Sequence, residues 1–309
     1  MLTVIAYHYV RNLKNSKYEK IKGLEIHEFS SQIDYIKKKY NIISANDILN
    51  FYNEGINIPN NSALLTFDDG YLDHYENVLP LLKKNNLKGC FYIPASPAKN
   101  QTVLDVNKIQ FLLSINNNLD LLINEIKDEI IILKKNNELK NFEEYYDIYA
   151  KPNRWDDPKT IFIKRFLQKG LNYKLRKELT HKLFNKYVSE NEEDFSKSLY
   201  MNQSQIKDLI SEGHHVGCHG DQHLWWNDIP IKLINTEIDN SINFLKELGV
   251  NIDSWSACYP YGGVNNTCLE LLKNKNCGFA LTTQFGVANL IKDNKLLLPR
   301  YDTNDLPKS

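Results

Sequence analysis

The feature that most constrains this chain is a rhythm of short apolar runs separated by stretches of helical periodicity. "LTVIAY" (2–7), "SALLTF" (62–67), "LKGCFYIP" (87–94), "HHVGC" (214–218), "SWSAC" (254–258) and "CGFALTT" (277–283) each have the length and composition of a strand. Helical patterns lie between them, over 27–39, 71–85 and 230–248. A shorter one near 203–212 has readable ends: Asn202 as N-cap, Gln205 three residues later, and Gly213 as the stop. Strands alternating with helices imply βαβ units and a mainly parallel sheet.

The rhythm breaks over 97–200. This stretch is rich in Lys, Asn, Glu, Ile and Leu, and "KIQFLLSINNNLDLLINEIKDEIIILKK" (108–135) is helical in period. It has too much Leu and Ile, and too little Gly and Pro, for a flexible linker. With 309 residues the chain has room for one large α/β domain or two smaller ones. We read a single domain over 1–309 that carries 97–200 as a helical insertion.

Lys+Arg and Asp+Glu each number 38, and no window shows a dense basic stripe, so no nucleic-acid partner is expected. No apolar run approaches the ~20 residues of a membrane span. "MLTVIAYHYV" lacks the basic and long apolar regions of a secretory signal. The five cysteines (Cys90, Cys218, Cys258, Cys268 and Cys277) form no CxxC pair and read as reduced thiols. The expected location is the cytoplasm. Oligomeric state is not legible.

The chemistry gathers where the apolar runs end. "LLTFDDGYLDHY" (64–75) delivers Asp68 and Asp69 together into one small space. Adjacent carboxylates repel, so the pair needs a cation, a shared proton or open water; a solvated Asp-Asp-Gly turn is the plain alternative. "HGDQH" then sets His219 and His223 four residues apart. Two imidazoles and one carboxylate make a three-ligand site with a position left for water, as in catalytic zinc, although a surface loop can also hold two histidines. In "CYPYGG" (258–263), Pro260 and two glycines make a rigid turn able to aim backbone N–H groups at an oxyanion. His8 in "IAYHYV" follows the first run. Asp68, Asp69, His219, His223, Tyr261 and His8 thus all sit just past an expected strand, the rim where parallel sheets and barrels do chemistry.

These residues resemble the polysaccharide deacetylase family, the NodB-homology or family 4 carbohydrate esterases. "TFDDGY" (66–71) matches its first motif residue for residue. "HGDQH" (219–223) matches the H-x-x-x-H second motif, with Gly220 where Ser or Thr is usual, and "YPYG" (259–262) matches the third in part. The motifs come in the family's order and cover most of the chain outside 97–200. The resemblance implies a distorted (β/α) barrel of the NodB type and hydrolysis of a carbohydrate N-acetyl group. It implies a divalent metal, Zn²⁺ above all, on Asp69, His219 and His223. Asp68 would then be the base that activates the attacking water, and the Tyr261 backbone N–H part of the oxyanion hole.

There are two departures. The arginine that usually opens the third motif is missing, with Cys258 or Tyr259 in its place, and no histidine follows His223 to supply the usual C-terminal acid. A subgroup similar to the poly-N-acetylglucosamine deacetylases, which looks circularly permuted, carries an N-terminal "YH" and a C-terminal "PR" instead. "AYHYV" and "LLPRYD" match these, which implies His8 as the acid and Arg300 as the partner of the base. The expected substrate is an N-acylated sugar inside the cell, nucleotide- or lipid-linked, on the way to a surface glycan. The same chemistry would serve removal of another acyl group such as formyl, and a sugar-binding protein that kept only the fold is a further alternative. Trp225 and Trp226 could stack on a sugar face, but core packing is the expectation for them.

Overall fold

The computed structural model describes residues 1–116, 118–153 and 156–308. The chain divides into two compact units, one of Met1–Asn12, Gly23–Thr102 and Ser196–Ser309, the other of Leu13–Lys22 and Val103–Phe195.

The first unit is built on eight strands: β1 (Leu2–Tyr7), β2 (Asn41–Ile43), β3 (Ser62–Asp68), β4 (Cys90–Ile93), β5 (His215–Cys218), β6 (Ser256–Cys258), β7 (Phe279–Leu281) and β8 (Tyr301–Asp302). Their order is β7-β6-β5-β4-β3-β1-β8, with β2 also paired to β3, and all the pairings between them are parallel. The segment before β8 joins the two edges: Leu298 bridges to Leu281 on one side, and Tyr301 pairs with Ile5 on the other. This is the curved parallel sheet of a (β/α) barrel with helices around it, as the alternating pattern requires.

Side chains along each strand alternate between two apolar layers. Ile5, Tyr7, Leu65, Phe67 and Phe91 pack outward with Phe29, Ile33 and Ile36 of the helix Ile26–Lys39. Leu2, Val4, Leu64, Cys90, Tyr92, Cys258 and Leu281 form the inner layer. A period of two therefore places Asp68, like Leu64 and Thr66, on the inner side, at the carboxyl end of β3.

Six strands stand where the apolar runs are. β2 and β8 escaped the sequence because "NII" and "YD" are too short to show a pattern. The helix Gln203–Ser211 has the expected capping box, in which the Asn202 side chain accepts from the Gln205 N–H and Gln205 reaches back to Asn202. The helical stretch expected from 71 instead opens with a π-turn, His74–Val78, followed by Leu79–Lys84.

The second unit is helical, with no strand among its described residues. Its helices include Asp105–Ile115, Leu119–Lys134, Phe142–Tyr149, Pro158–Arg165 and Tyr173–Tyr187. It has its own buried core, with Leu112, Ile126, Phe162, Phe166 and Leu183 almost inaccessible. Leu13–Lys22 belongs to this unit through Tyr18, whose ring meets Phe111 and Phe195 edge-on. Lys108, buried, is paired with Glu192 at 2.9 Å.

Candidate active site

At the end of β3 the backbone turns sharply. Asp69 and Gly70 both take left-handed φ, 76° and 69°. The Asp69 N–H donates to the Tyr92 carbonyl at 3.0 Å. A left-handed aspartate costs about 1–3 kcal/mol, and two more non-glycine residues of the site, His223 (φ 56°) and Tyr261 (φ 56°), carry the same strain. Strain concentrated in this way marks a site held in shape by its surroundings.

His219 and His223 leave the end of β5 and meet Asp69. Both Nε2 atoms lie 3.4 Å from Asp69 Oδ1. The other oxygen, Oδ2, accepts from the Tyr71 hydroxyl at 2.6 Å, so the phenol turns Oδ1 toward the imidazoles. Oδ1 is buried with no hydrogen-bond partner. Two ligand atoms bound at about 2.0–2.1 Å in a tetrahedral zinc site are separated by roughly 3.4 Å, the spacing seen here. His219 Nδ1 stands 2.7 Å from the Cys258 carbonyl; a carbonyl only accepts, so Nδ1 carries a proton, and Nε2 is the ring nitrogen that faces Asp69. The residues present therefore fit a divalent cation.

Glu237 supports the loop from below. It is buried on the helix Ile231–Glu247, and its carboxylate accepts the N–H groups of Asp221 (3.2 Å), Gln222 (3.0 Å) and Leu224 (3.3 Å). Burial pushes its pKa up to about 7 against those bonds. A Cβ at position 220 would lie 2.8 Å from Glu237 Oε2, and φ there is +75°. Both facts call for the glycine that replaces the usual Ser or Thr.

Asp68 lies beside this cluster, 1% exposed. Arg300, equally buried, donates to it from Nη1 at 2.8 Å to Oδ2 and 3.0 Å to Oδ1. Arg300 also reaches Thr66 Oγ1 at 3.2 Å, and its Nε–H donates to the Thr282 carbonyl at 2.9 Å. Cys258, one of the two residues in the region of the third motif's usual arginine, points its Sγ at Asp68 Oδ2 from 3.5 Å. A guanidinium from the C-terminal segment thus stands where the motif lacks one. His8 Nε2 is 3.8 Å from Asp68 Oδ2, with its side chain 41% exposed.

Burial alone would raise the Asp68 carboxyl, but Arg300, then His219 and His8, outweigh it and hold it below the ordinary range. Asp69 is likewise pushed up by burial and pulled well down by the two imidazoles, with His8 adding to the pull. Burial lowers His223 to about 4, whereas His219, against Cys258 and Asp69, is raised despite its burial. Two ionised carboxylates in one buried space thus face one guanidinium and one imidazolium, and a divalent cation would replace the imidazole proton.

The third-motif turn, Pro260–Gly262, follows β6. The Tyr261 ring packs edge-on against His223 and stacks on Trp225, with centroids 4.5 Å apart in both pairs. Trp226 is fully buried while Trp225 is half-buried, so the expected core packing holds for Trp226 and not for Trp225.

A model of the polysaccharide deacetylase family matches residues 56–129 and 179–280, more than half of the chain. The chain belongs to the polysaccharide deacetylase family. A search of curated protein sequences finds no match. Among solved structures it is similar to the deacetylase PplD of Streptococcus pyogenes in complex with acetate, with 15% identity, a TM-score of 0.59, and coverage of 97% of this chain and 91% of that one. It is similar to IcaB of Ammonifex degensii (18% identity, TM-score 0.55, coverage 97% and 90%) and to the BpsB deacetylase domain of Bordetella bronchiseptica (15%, 0.55, 97% and 95%). At these identities the likeness establishes the NodB-type fold. Family membership makes the chain a carbohydrate deacetylase.

The deacetylase fold brings Asp68, Asp69, His8, His219, His223 and Arg300 into one site, with Tyr261 beside it. Sequence reasoning missed Glu237 as a support of the loop. The signal was present: Glu237 falls on the apolar stripe of Ile234, Ile238, Phe244 and Leu245, where a charge needs a partner. Tyr71 went unassigned, although it closes the first motif.

Proposed function

We propose that this chain is a metal-dependent hydrolase that removes the N-acetyl group of an amino sugar. The observation that carries the reading is Asp69 Oδ1, buried without a partner and 3.4 Å from two imidazole nitrogens. Asp69, His219 and His223 would hold one divalent ion, and their nitrogen and oxygen donors suit Zn²⁺. Such an ion, when bound, supplies a Lewis acid for the amide carbonyl and a water acidic enough to attack near neutral pH.

The chain's own groups do the rest. Asp68, kept ionised by Arg300, accepts the proton of the attacking water. The Tyr261 N–H, held in its strained turn, donates to the oxygen that gains charge as the carbonyl becomes tetrahedral. His8, half-exposed beside Asp68, protonates the amine nitrogen as the C–N bond breaks. Acetate and the free amino sugar leave. His8 and Arg300, close to Asp68 in space though far away in sequence, support kinship with the subgroup that carries an N-terminal "YH" and a C-terminal "PR".

We place the reaction in the cytoplasm, on a nucleotide-linked or lipid-linked sugar bound for a surface glycan. The five free, buried cysteines support a reducing compartment, and among the described residues no helix is long and apolar enough to cross a membrane. The test has two parts. Metal content is measured for wild type, His219→Ala and His223→Ala, and acetate release is followed on nucleotide-linked, lipid-linked and oligomeric N-acetylated sugars. Equal metal in all three proteins would refute the ligand set. Release from the oligomers alone would refute the substrate class.

A further inference from the structure

We propose that the turn Asp73–Asn77 is a clamp that aims His8 at Asp68, and that His74 is its positioning residue. This rests on the reading of His8 as the group that protonates the departing amine.

β1 ends at Tyr7, and the His8 side chain is 41% exposed, so little around the imidazole itself fixes its direction. The backbone that carries it is gripped from one side. His74 Nε2 meets the His8 carbonyl at 2.8 Å. Asp73 accepts the Val10 N–H at 3.2 Å and takes Arg11 bidentately, at 2.7 and 2.6 Å. Asn77 donates to the Val10 carbonyl at 2.8 Å. Of the gripping side chains, His74 and Asn77 lie in a π-turn over 74–78, a form common at functional sites, and Asp73 is its N-cap residue.

His74 is the informative member. It is fully buried, against the rings of Phe67, Tyr71 and Phe91. Since a carbonyl only accepts, Nε2 carries the proton, and Nδ1 is left bare and buried with no partner. An unsatisfied buried nitrogen costs about 1–3 kcal/mol. A phenylalanine would fill the same aromatic pocket without that cost. What the imidazole adds there is the bond to His8.

The test compares His74→Phe, His74→Gln and His8→Ala on a nucleotide-linked N-acetylglucosamine and on 4-nitrophenyl acetate, whose leaving group needs no proton. His74→Phe is expected to keep its fold and its metal affinity. It should lose about tenfold or more in kcat on the amide, as an orienting outer contact does, and little on the ester. Gln, whose amide N–H can stand near the place of Nε2–H, should restore part of the loss. Equal losses on both substrates, or an unchanged amide rate, for His74→Phe while His8→Ala is selective for the amide would overturn the clamp alone. Equal losses for His8→Ala would overturn the acid reading and the clamp with it.

Discussion

Arg300→Met should move Asp68, the proposed base, out of its working range. In the native protein Arg300 Nη1 lies 2.8 Å from Asp68 Oδ2, and both residues are buried. With charge centres about 4 Å apart and an effective dielectric near 20, the attraction is roughly 4 kcal/mol, or about 3 pKa units. His219 and His8 share in holding the carboxyl down while burial and Asp69 oppose them, so removing Arg300 should raise the carboxyl by less than the full pair attraction. The assay is the pH dependence of kcat/KM for acetate release. Its acid limb should shift upward, so the variant loses activity first at low pH and recovers as pH rises. Stability should fall as well. The native Asp68, with its depressed folded pKa, contributes stability that is present above the unfolded value and lost as pH falls through the folded one. In the variant that contribution is lost, and the carboxylate left buried without its guanidinium should cost ~3–5 kcal/mol near neutral pH. Arg300→Lys keeps the charge but loses the Nε–H bond to Thr282, and should shift the limb less. A folded Arg300→Met protein with an unmoved acid limb would refute the reasoning.

Asp68→Asn should keep its metal and lose about 10²–10⁴ in rate; a loss of metal as complete as in His219→Ala would make Asp68 a ligand instead of a base. Tyr71→Phe removes the donor to Asp69 Oδ2 and should weaken metal binding about 10–100-fold in a chelator competition, whereas an unchanged Kd would reduce Tyr71 to packing. Burial holds His74 near pKa 4, below its unfolded value, so unfolding takes up a proton and stability should fall as pH drops from about 6.5 to 4, by about 3 kcal/mol from this residue. Urea denaturation at pH 7, 5.5 and 4.5 measures that slope, and His74→Phe should flatten it; His214 and His215, lowered by burial in the same way, leave a residual slope.

Much of this protein was written in local pattern. Apolar runs and helical periods set six strands and their helices, because burial of one side chain in two or of one stripe in 3.6 is a property of neighbours in the chain. Asp68–Asp69 and His219–His223 were legible for the same reason, since each pair is close in sequence and at a strand end. The sequence also carried His8, Tyr261 and Arg300, but only as isolated residues with no local sign of a common purpose. Tertiary structure decided the rest. It set Arg300 against Asp68 across 232 positions, filled the space at Gly220 with the Glu237 carboxylate, and turned Asp69 by the Tyr71 phenol. It gripped His8 with His74 across 66. Apart from the Tyr71 bond, made two residues from Asp69, these contacts join groups that share no periodicity, and the Arg300–Asp68 pair exists only once the sheet has curved far enough for its first strands to meet the segment before β8.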